Sequence, residues 1–232
     1  MHDELRARVL AANLAIVDAG LVTLTFGNVS GVDRTAGVMA IKTSGVPYES
    51  LDADTIVLVD LASGEVIEGD LRPSSDAPTH LVLYRSFAGV GGVVHTHSPF
   101  ASAWAQAGRD LPCLGTTHAD HFDGSVPVTR ALTADEIGGA YEERTGDVIV
   151  EAIQASGLDP LALPAALVVS HGPFAWGAAI EDAVENAVAL EAVAALAERT
   201  LALQADCPEL DSTLHNRHFS RKHGPGRYYG QP

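Results

Sequence analysis

The sequence predicts a single-domain α/β sandwich over residues 1–232, with helices flanking a central, mostly antiparallel β-sheet. The chain has 232 residues, 47% of them hydrophobic, and no linker-like stretch, which is enough for one substantial core. Three strand-like segments follow one another near the N-terminus without a helix between them. Consecutive strands of this kind pair as hairpins, so the pattern favours a sandwich over a regular doubly wound βαβ sheet.

The first elements are a helix and the three strand-like segments. Over residues 3–20, apolar side chains recur at helical spacing, and Gly20 follows as a C-cap. Turns rich in glycine, aspartate and serine separate the strand-like segments, which are residues 21–30, 37–45 and 55–69.

Helices and strands alternate in the rest of the chain. Ser74 or Ser75 can N-cap a helix over residues 76–87, with Pro78 tolerated in its first turn. The later elements are a strand over residues 92–97, a helix opened by Ser98 and Pro99, a helix from the Thr133–Glu136 capping box to about Ser156, a strand over residues 165–172, a long amphipathic helix over residues 181–205 and a basic, aromatic tail over residues 215–232.

The charge balance excludes some partners. A formal net charge of −16 opposes nonspecific binding to nucleic acid or to anionic membranes, because such binding depends on clusters of Lys and Arg. Only Lys42 and Lys222 could form a Schiff base, whereas ten histidines offer more material for metal binding. We therefore expect a small-molecule substrate held at a locally built site.

The cysteine usage and the N-terminus predict a cytoplasmic protein. Cys113 and Cys207 show neither a CxxC motif nor the spacing of secreted domains, which indicates a reducing compartment. The first ten residues carry charges where a signal peptide needs an apolar run, and no apolar run reaches about 18 residues.

Histidines end two of the predicted strands. Strand periodicity places His95 and His97 of "VVHTH" on one face, and His171 closes "VVSH". Each could be an ordinary strand-end hydrogen bonder, but three imidazoles from two strands together favour a metal site. Three protein nitrogens leave the fourth position of zinc open, as in catalytic sites. Asp76 is a further carboxylate ligand or base beside it.

Three short segments together suit an oxyanion, although each alone is an ordinary turn or cap. Free backbone N–H groups and a helix N-terminus bind phosphate without a net positive charge on the protein. The segments "TFGNVS", "IKTSG" and "PSSD" supply Gly27, Asn28, Lys42, Ser44, Gly45, Ser74 and Ser75. An open metal site beside such a cradle favours aldol-type, dehydratase or isomerase chemistry on a phosphorylated substrate.

Many segments resemble the L-ribulose-5-phosphate 4-epimerase family, within the class II aldolase superfamily of fuculose- and rhamnulose-phosphate aldolases. The resemblance covers essentially the whole chain in collinear order. It is carried by "LVTLTFGNVS", "IKTSGV", "GEVIEG", "PSSDAPTH", "GGVVHTHS", "WAQAG", "GTTHAD", "SHGPFAWG", "EDAV", "RKHG" and "YYGQ". Of these, "GTTHAD" and "YYGQ" are typical of the epimerase branch.

The resemblance implies roles for particular residues. It implies that Asp76, His95, His97 and His171 bind zinc, for which Mn²⁺ or Co²⁺ could substitute, and that the three oxyanion segments hold the substrate. Proton transfer is implied for Asp120 and Tyr229, with His218 close by. The implied assembly is a homotetramer with active sites between subunits, in which the tail tyrosine comes from a neighbour.

The implied reaction converts L-ribulose 5-phosphate to D-xylulose 5-phosphate. Retro-aldol cleavage between C3 and C4 would give a dihydroxyacetone enediolate and glycolaldehyde phosphate, the aldehyde turns over, and its re-addition to the enediolate inverts C4. Asp76 stands where the related aldolases carry a glutamate, and the shorter carboxylate reaches less well as a substrate base. Two other functions remain open, namely a zinc aldolase or dehydratase acting on another sugar phosphate and a non-catalytic, zinc-stabilised binding protein.

Overall fold

A seven-stranded antiparallel sheet forms the centre of the fold. The computed structural model describes residues 2–223 and 227–228. The strands are β1 (Asn28–Asp33), β2 (Val38–Lys42), β3 (Ile56–Asp60), β4 (Val66–Glu68), β5 (Gly92–His95), β6 (Ala165–Leu167) and β7 (Pro173–Gly177). They lie in the order β4-β3-β2-β1-β5-β7-β6, and each neighbouring pair is antiparallel. The predicted fold class is confirmed.

Helices cover the two faces of this sheet. In the described ranges they are α1 (Asp3–Asp18), α2 (Ala77–Ser86), α3 (Pro99–Ala107), α4 (Thr116–Ala119), α5 (Ala134–Gly138), α6 (Tyr141–Ser156), α7 (Ile180–Leu203) and α8 (Ser212–His223), with 3₁₀ turns at Tyr48–Ser50 and Ala53–Thr55. No helix in this part of the chain is long and apolar enough to span a membrane.

Alternate residues of β1 show how the two faces are covered. A Cβ atom at Gly31 would collide with the side chain of Ile180, so this position faces α7, beside which α1 packs. Ser30 points to the opposite face and hydrogen-bonds to side chains of α2. On the outer side of α2, Gly146 of α6 lets the two helices approach closely, since a Cβ there would lie 2.6 Å from Cβ of Val82.

The N-cap prediction for α2 was wrong. The helix begins at Ala77, Asp76 occupies the N-cap position, and no side chain caps it. Ser74 Oγ instead accepts hydrogen bonds from the backbone N–H of Asp76, at 3.3 Å, and from Nδ2 of Asn28, at 3.0 Å. The serine therefore shapes the turn before the helix.

Other boundaries also differ from the prediction. The segment expected as one strand over residues 55–69 forms two antiparallel strands, β3 and β4, and the strand expected over residues 92–97 ends at His95. The helix expected to run from the capping box to Ser156 is interrupted after Gly138, because Gly139 leaves the helical conformation, and α6 begins anew at Tyr141. The strand expected over residues 165–172 ends at Leu167. Residues 21–27 precede β1 as a turn rather than as a strand, with a bridge between Thr23 and Phe26.

Candidate active site

One cavity of about 360 Å³ collects the residues that the sequence assigned to metal and substrate binding. It lies beside the start of β1 and the ends of β2 and β5, next to the turn that leads into α2. Its lining includes Gly27, Asn28, Lys42, Ser44, Gly45, Ser74, Ser75, Asp76, His95, His97 and His171. The antiparallel pairing of Asn28 with His95 brings two of the predicted groups together directly.

Three imidazoles form a compact cluster on one wall. His95 is the last residue of β5 and is 1% exposed, whereas His97 lies beyond the strand end. Their Nε2 atoms are 3.1 Å apart. His171 joins them from the connection between β6 and β7, and one ring nitrogen of each histidine lies within 4.8 Å of the others.

The local backbone explains how His171 reaches the cluster. The preceding Ser170 adopts a left-handed conformation, with φ of +60°, inside a tight turn closed by a bond from the N–H of His171 to the carbonyl of Val168. Gly172 follows, and a Cβ there would lie 2.8 Å from the carbonyl oxygen of Thr96. Only a glycine allows this turn to pack so closely against the segment that carries the other two histidines.

The protonation state of the cluster suits a metal ion. Burial lowers the pKa of His95 to about 3, and burial also lowers the pKa of His97 and of His171, so the rings are neutral at neutral pH. Nδ1 of His95 donates to the carbonyl of Pro173 at 2.9 Å, so its proton is on Nδ1 and Nε2 carries the lone pair that a metal ion would use. Nδ1 of His171 is buried without a hydrogen-bond partner in the described residues.

These side chains fit a divalent ion such as zinc. Two nitrogens bound to one tetrahedral zinc at about 2.0–2.1 Å lie about 3.3 Å apart, close to the separation of the two Nε2 atoms. Neutral imidazoles with free lone pairs are the form that binds metal. The three histidines therefore form a candidate metal centre.

Asp76 lies on the cavity wall beside the cluster rather than within it. Its Oδ2 accepts a hydrogen bond of 2.6 Å from Nδ2 of Asn28. Burial opposes ionisation, but the imidazoles of His95 and His80 and the bond from Asn28 outweigh it and hold the pKa of Asp76 below its usual range. The carboxylate is thus available as an ionised ligand.

A second part of the cavity lining, which we call the phosphate wall, consists of two backbone segments where an oxyanion could bind. The N–H of Ser44 donates to the carbonyl of Arg72, and the N–H of Ser74 donates to the carbonyl of Lys42, so the segments run side by side. These two amides are therefore not free, contrary to the expectation for Ser74. In the described part of the chain, the amides of Gly45 and Ser75 have no acceptor and remain available.

Lys42 places a buried cation next to these amides. The residue is 2% exposed, its ammonium donates to the carbonyl of Thr43 at 3.2 Å, and it lies 4.9 Å from the ring centre of Tyr48. Burial lowers the pKa of Lys42. No carboxylate within 2–223 and 227–228 forms an ion pair with it. A buried ammonium without a counterion suits an anionic ligand group.

Phe26, Tyr141 and Glu142 also line the cavity, although they were not predicted from the sequence. The ring of Phe26 lies 5.8 Å from that of His97, and the ring of Tyr141 lies 6.4 Å from that of His171. The adjacent pair Gly138–Gly139 was the available signal, because it ends α5 and lets a new helix begin at the cavity.

Asp120 and His218, two of the predicted catalytic residues, do not line this cavity. Asp120 accepts two hydrogen bonds from Arg221, at 2.9 and 2.6 Å, and lies 3.1 Å from Nδ1 of His218. Partial burial opposes ionisation, but Arg221 and His218 outweigh it and lower the pKa of Asp120. Asp120 lines a separate depression of about 570 Å³, and Tyr229 lies outside the described residues.

The family is decided by comparison with known proteins. Residues 7–197 match the family described as "Class II Aldolase and Adducin N-terminal domain". The chain belongs to this family. The cavity with three histidines is accordingly the candidate metal centre of a class II aldolase-family protein.

Solved structures show the same class II aldolase fold. An L-fuculose 1-phosphate aldolase is 22% identical, with a TM-score of 0.79 over 94% of this chain and 95% of that one. YgbL from Klebsiella pneumoniae, a putative aldolase/epimerase/decarboxylase, is 24% identical, with a TM-score of 0.71 over 94% and 98%. An L-fuculose-1-phosphate aldolase from Thermus thermophilus is 27% identical, with a TM-score of 0.69 over 89% and 98%.

Proposed function

We propose that this protein is a divalent-metal-dependent sugar-phosphate epimerase that interconverts L-ribulose 5-phosphate and D-xylulose 5-phosphate. The observation that carries the proposal is the shared cavity, whose lining combines three neutral imidazoles with a buried lysine that has no counterion in the described residues. One wall suits a metal ion and the other suits a phosphate group, so a phosphorylated ketose would bridge them.

The metal wall provides for carbon–carbon bond cleavage. His95, His97 and His171 would hold the ion, with Asp76 beside them. A bound divalent ion would supply a Lewis acid that polarises the substrate carbonyl and favours retro-aldol cleavage between C3 and C4. The bond from Asn28 to Asp76 restrains this carboxylate, which supports a role as ligand rather than as substrate base.

The phosphate wall would orient the substrate through its phosphate group. The ammonium of Lys42 and the free amides of Gly45 and Ser75 would donate hydrogen bonds to phosphate oxygens. The phosphate holds the two-carbon aldehyde fragment in the cavity after cleavage. Retention lets the aldehyde turn and re-add, so that C4 is inverted without release of fragments.

Inversion at C4 also requires proton exchange on both faces of the aldehyde. We assign this exchange to Asp120 and Tyr229, with His218 orienting Asp120. Since Asp120 does not line the metal cavity of its own chain, a second copy would have to supply it. The proposal therefore includes a homotetramer with active sites at subunit interfaces.

A sugar-phosphate aldolase is the second candidate function. It is favoured by the structural likeness to proteins named L-fuculose-1-phosphate aldolase, at 22% and 27% identity. Metal and phosphate sites would serve both reactions, so the fate of the cleaved aldehyde separates them.

The test is product analysis with purified, zinc-loaded protein. The epimerase proposal expects L-ribulose 5-phosphate to be converted to D-xylulose 5-phosphate, with free glycolaldehyde phosphate only as a trace. Removal of metal with a chelator should abolish conversion, and added Zn²⁺, Mn²⁺ or Co²⁺ should restore it. Stoichiometric release of an aldehyde, from this substrate or from L-fuculose 1-phosphate, would favour the aldolase and contradict the epimerase.

A further inference from the structure

A line of buried polar side chains connects β1 to α2 directly beneath the cavity. On the strand, Asn28 and Ser30 are two residues apart and point to the same face of the sheet. Asp76, at the N-cap of α2, is followed at intervals of four residues by His80 and Tyr84, which share one face of the helix. Polar side chains therefore form one row along the strand and another row along the helix, at spacings that let the two rows pair.

Hydrogen bonds join the two rows. Asn28 Nδ2 donates to Asp76 Oδ2 at 2.6 Å. Two residues along the strand, Ser30 Oγ lies 2.7 Å from Nδ1 of His80 and 2.9 Å from the hydroxyl of Tyr84. The residues Asn28, Ser30, Asp76, His80 and Tyr84 thus form two neighbouring hydrogen-bonded groups along the strand and the helix, which together we call the β1–α2 ladder.

Three of the five ladder residues are completely buried. Ser30, His80 and Tyr84 are each 0% exposed. Burial lowers the pKa of His80 to about 4, so the ring is neutral and carries one N–H. Nε2 of His80 has no hydrogen-bond partner in the described residues. Buried polar groups are costly to retain, so this arrangement calls for a role besides stability.

The ladder fixes the position of α2 along β1. Apolar contacts such as those of Leu81 and Leu83 are non-directional and tolerate small sliding or rotation of a helix. Hydrogen bonds depend steeply on distance and angle, so the Ser30 bonds define one register. Asp76 lies one helical turn before His80. Its carboxylate makes no capping hydrogen bond to α2, so its position depends on where the helix itself lies.

We propose that Ser30, His80 and Tyr84 are positioning residues that hold the Asp76 carboxylate in place at the metal centre. The inference deepens the proposed function and rests on its metal site. Loss of the Ser30 bonds should free α2 to shift against β1 and should displace Asp76 relative to the three histidines. Outer partners of this kind typically change metal affinity by about 10–100-fold when they are removed.

The experiment measures Co²⁺ binding by the full chain. Ser30→Ala removes the hydrogen bonds of Ser30 to His80 and to Tyr84, whereas Tyr84→Phe removes only the second of them and keeps the ring. Val82→Ala is the matched control, because it lies on the same helix but packs against α6 rather than on the ladder. Affinity is determined by competition with a chromophoric chelator, the coordination by the visible Co²⁺ spectrum, and stability by urea unfolding.

The expected result is a weakening of Co²⁺ binding by about 10–100-fold in Ser30→Ala, a smaller loss in Tyr84→Phe and an altered spectrum in both. Val82→Ala should lose stability but keep the affinity and spectrum of the unmodified protein. Equal Co²⁺ binding by Tyr84→Phe, Val82→Ala and the unmodified protein would contradict the proposed positioning role of the ladder. This holds even if Ser30→Ala fails to fold. Absence of Co²⁺ binding by the unmodified protein would overturn the metal centre itself.

Discussion

Burial, acting on single residues, sets the chemistry of the cavity. An imidazole removed from water loses its charge, because desolvation penalises the protonated form, and it becomes a metal ligand. An ammonium removed from water without a carboxylate partner is also disfavoured, and an anionic ligand group would stabilise it. His95 and Lys42, 1% and 2% exposed, are the buried imidazole and the buried amine that line one cavity.

The first residue-scale prediction concerns the metal ligands. His97→Ala and His171→Ala should each reduce bound zinc to a small fraction of the unmodified content, since three imidazoles leave no spare nitrogen. Metal content is measured by elemental analysis after dialysis. His118→Gln is the control, because His118 is buried but bonds to the carbonyl of Gly124 away from the cavity. Full zinc occupancy in both ligand variants would contradict the assignment.

The second residue-scale prediction concerns the phosphate wall. Lys42→Met should raise the inhibition constant of inorganic phosphate and the KM for L-ribulose 5-phosphate by about 10–100-fold, because a charged hydrogen bond is worth about 1.5–3 kcal/mol. Steady-state kinetics provide both constants. The kcat/KM for unphosphorylated L-ribulose should change little in this variant. An equal loss for both sugars would mean that Lys42 acts on something other than phosphate.

Contacts between whole elements determine where the histidine segment can lie. Helix α3 begins two residues after His97, and its N-cap residue, Ser98, makes no side-chain cap. The carboxylate of Glu191, on α7, accepts hydrogen bonds from the backbone N–H groups of Phe100 and Ala101, at 2.8 and 2.9 Å. One helix therefore caps another and anchors the end of the metal-binding segment.

This capping yields an element-scale prediction. Glu191→Ala should lower the free energy of unfolding by about 1–3 kcal/mol, because two amides at the positive end of α3 lose a charged acceptor. Glu198→Ala, on the exposed face of the same helix, should change stability by less than about 0.5 kcal/mol. Urea unfolding of the metal-free proteins measures both. Equal stability of the two variants would contradict the stabilising role of the cap that Glu191 forms.

At the scale of the whole molecule, the proposed chemistry is divided between two places. The metal and phosphate walls share one cavity, whereas Asp120, Arg221 and His218 form a hydrogen-bonded cluster that does not line it. A complete site of the proposed kind therefore needs more than one chain.

Subunit mixing tests this division. Asp120→Asn and His97→Ala should each be inactive alone, whereas their mixture after subunit exchange should regain some activity. The reason is that an interface between the two variants can pair an intact metal cavity with an intact Asp120. Epimerase assays before and after exchange, with exchange verified by mass spectrometry, measure the rescue. No rescue despite verified exchange would count against the shared site, and Tyr229→Phe can replace Asp120→Asn in the same design.

The buried histidines also predict how stability depends on pH. Burial lowers the pKa of His80 and of His118 to about 4, below the unfolded value of about 6.5. Above pH 6.5 neither histidine makes stability depend on pH, because each is unprotonated in both the folded and the unfolded chain. As the pH falls from 6.5 towards 4, protonation of the unfolded chain lowers the free energy of unfolding by about 1.4 kcal/mol per pH unit for each histidine. Urea unfolding of metal-free protein should show the decline. His118→Gln should reduce its slope, and an unchanged slope would contradict the prediction for His118.

The local sequence patterns determined the fold class and the residue types at the site. Strand-like segments in succession predicted an antiparallel sheet, and two strands ending in histidine predicted the imidazole cluster. These inferences held because strand periodicity and turn chemistry are short-range properties, readable within a few residues. Boundaries were less well predicted, as at Gly139, where the conformation of one glycine ends a helix whose start the capping box had correctly indicated.

Only the tertiary structure decided which groups are neighbours and which are already bonded. The sequence did not predict that the amide of Ser74 is taken by Lys42, that Tyr141 and Glu142 reach the cavity, or that His80 bonds to Ser30 across 50 residues of chain. It named Asp120 as a proton-transfer residue, but it did not predict that Arg221 bonds to this carboxylate or that Asp120 lines a separate depression. The physical reason is that desolvation and hydrogen bonding depend on packing between distant segments, and these set the charge and orientation of a side chain whose type the sequence alone determines.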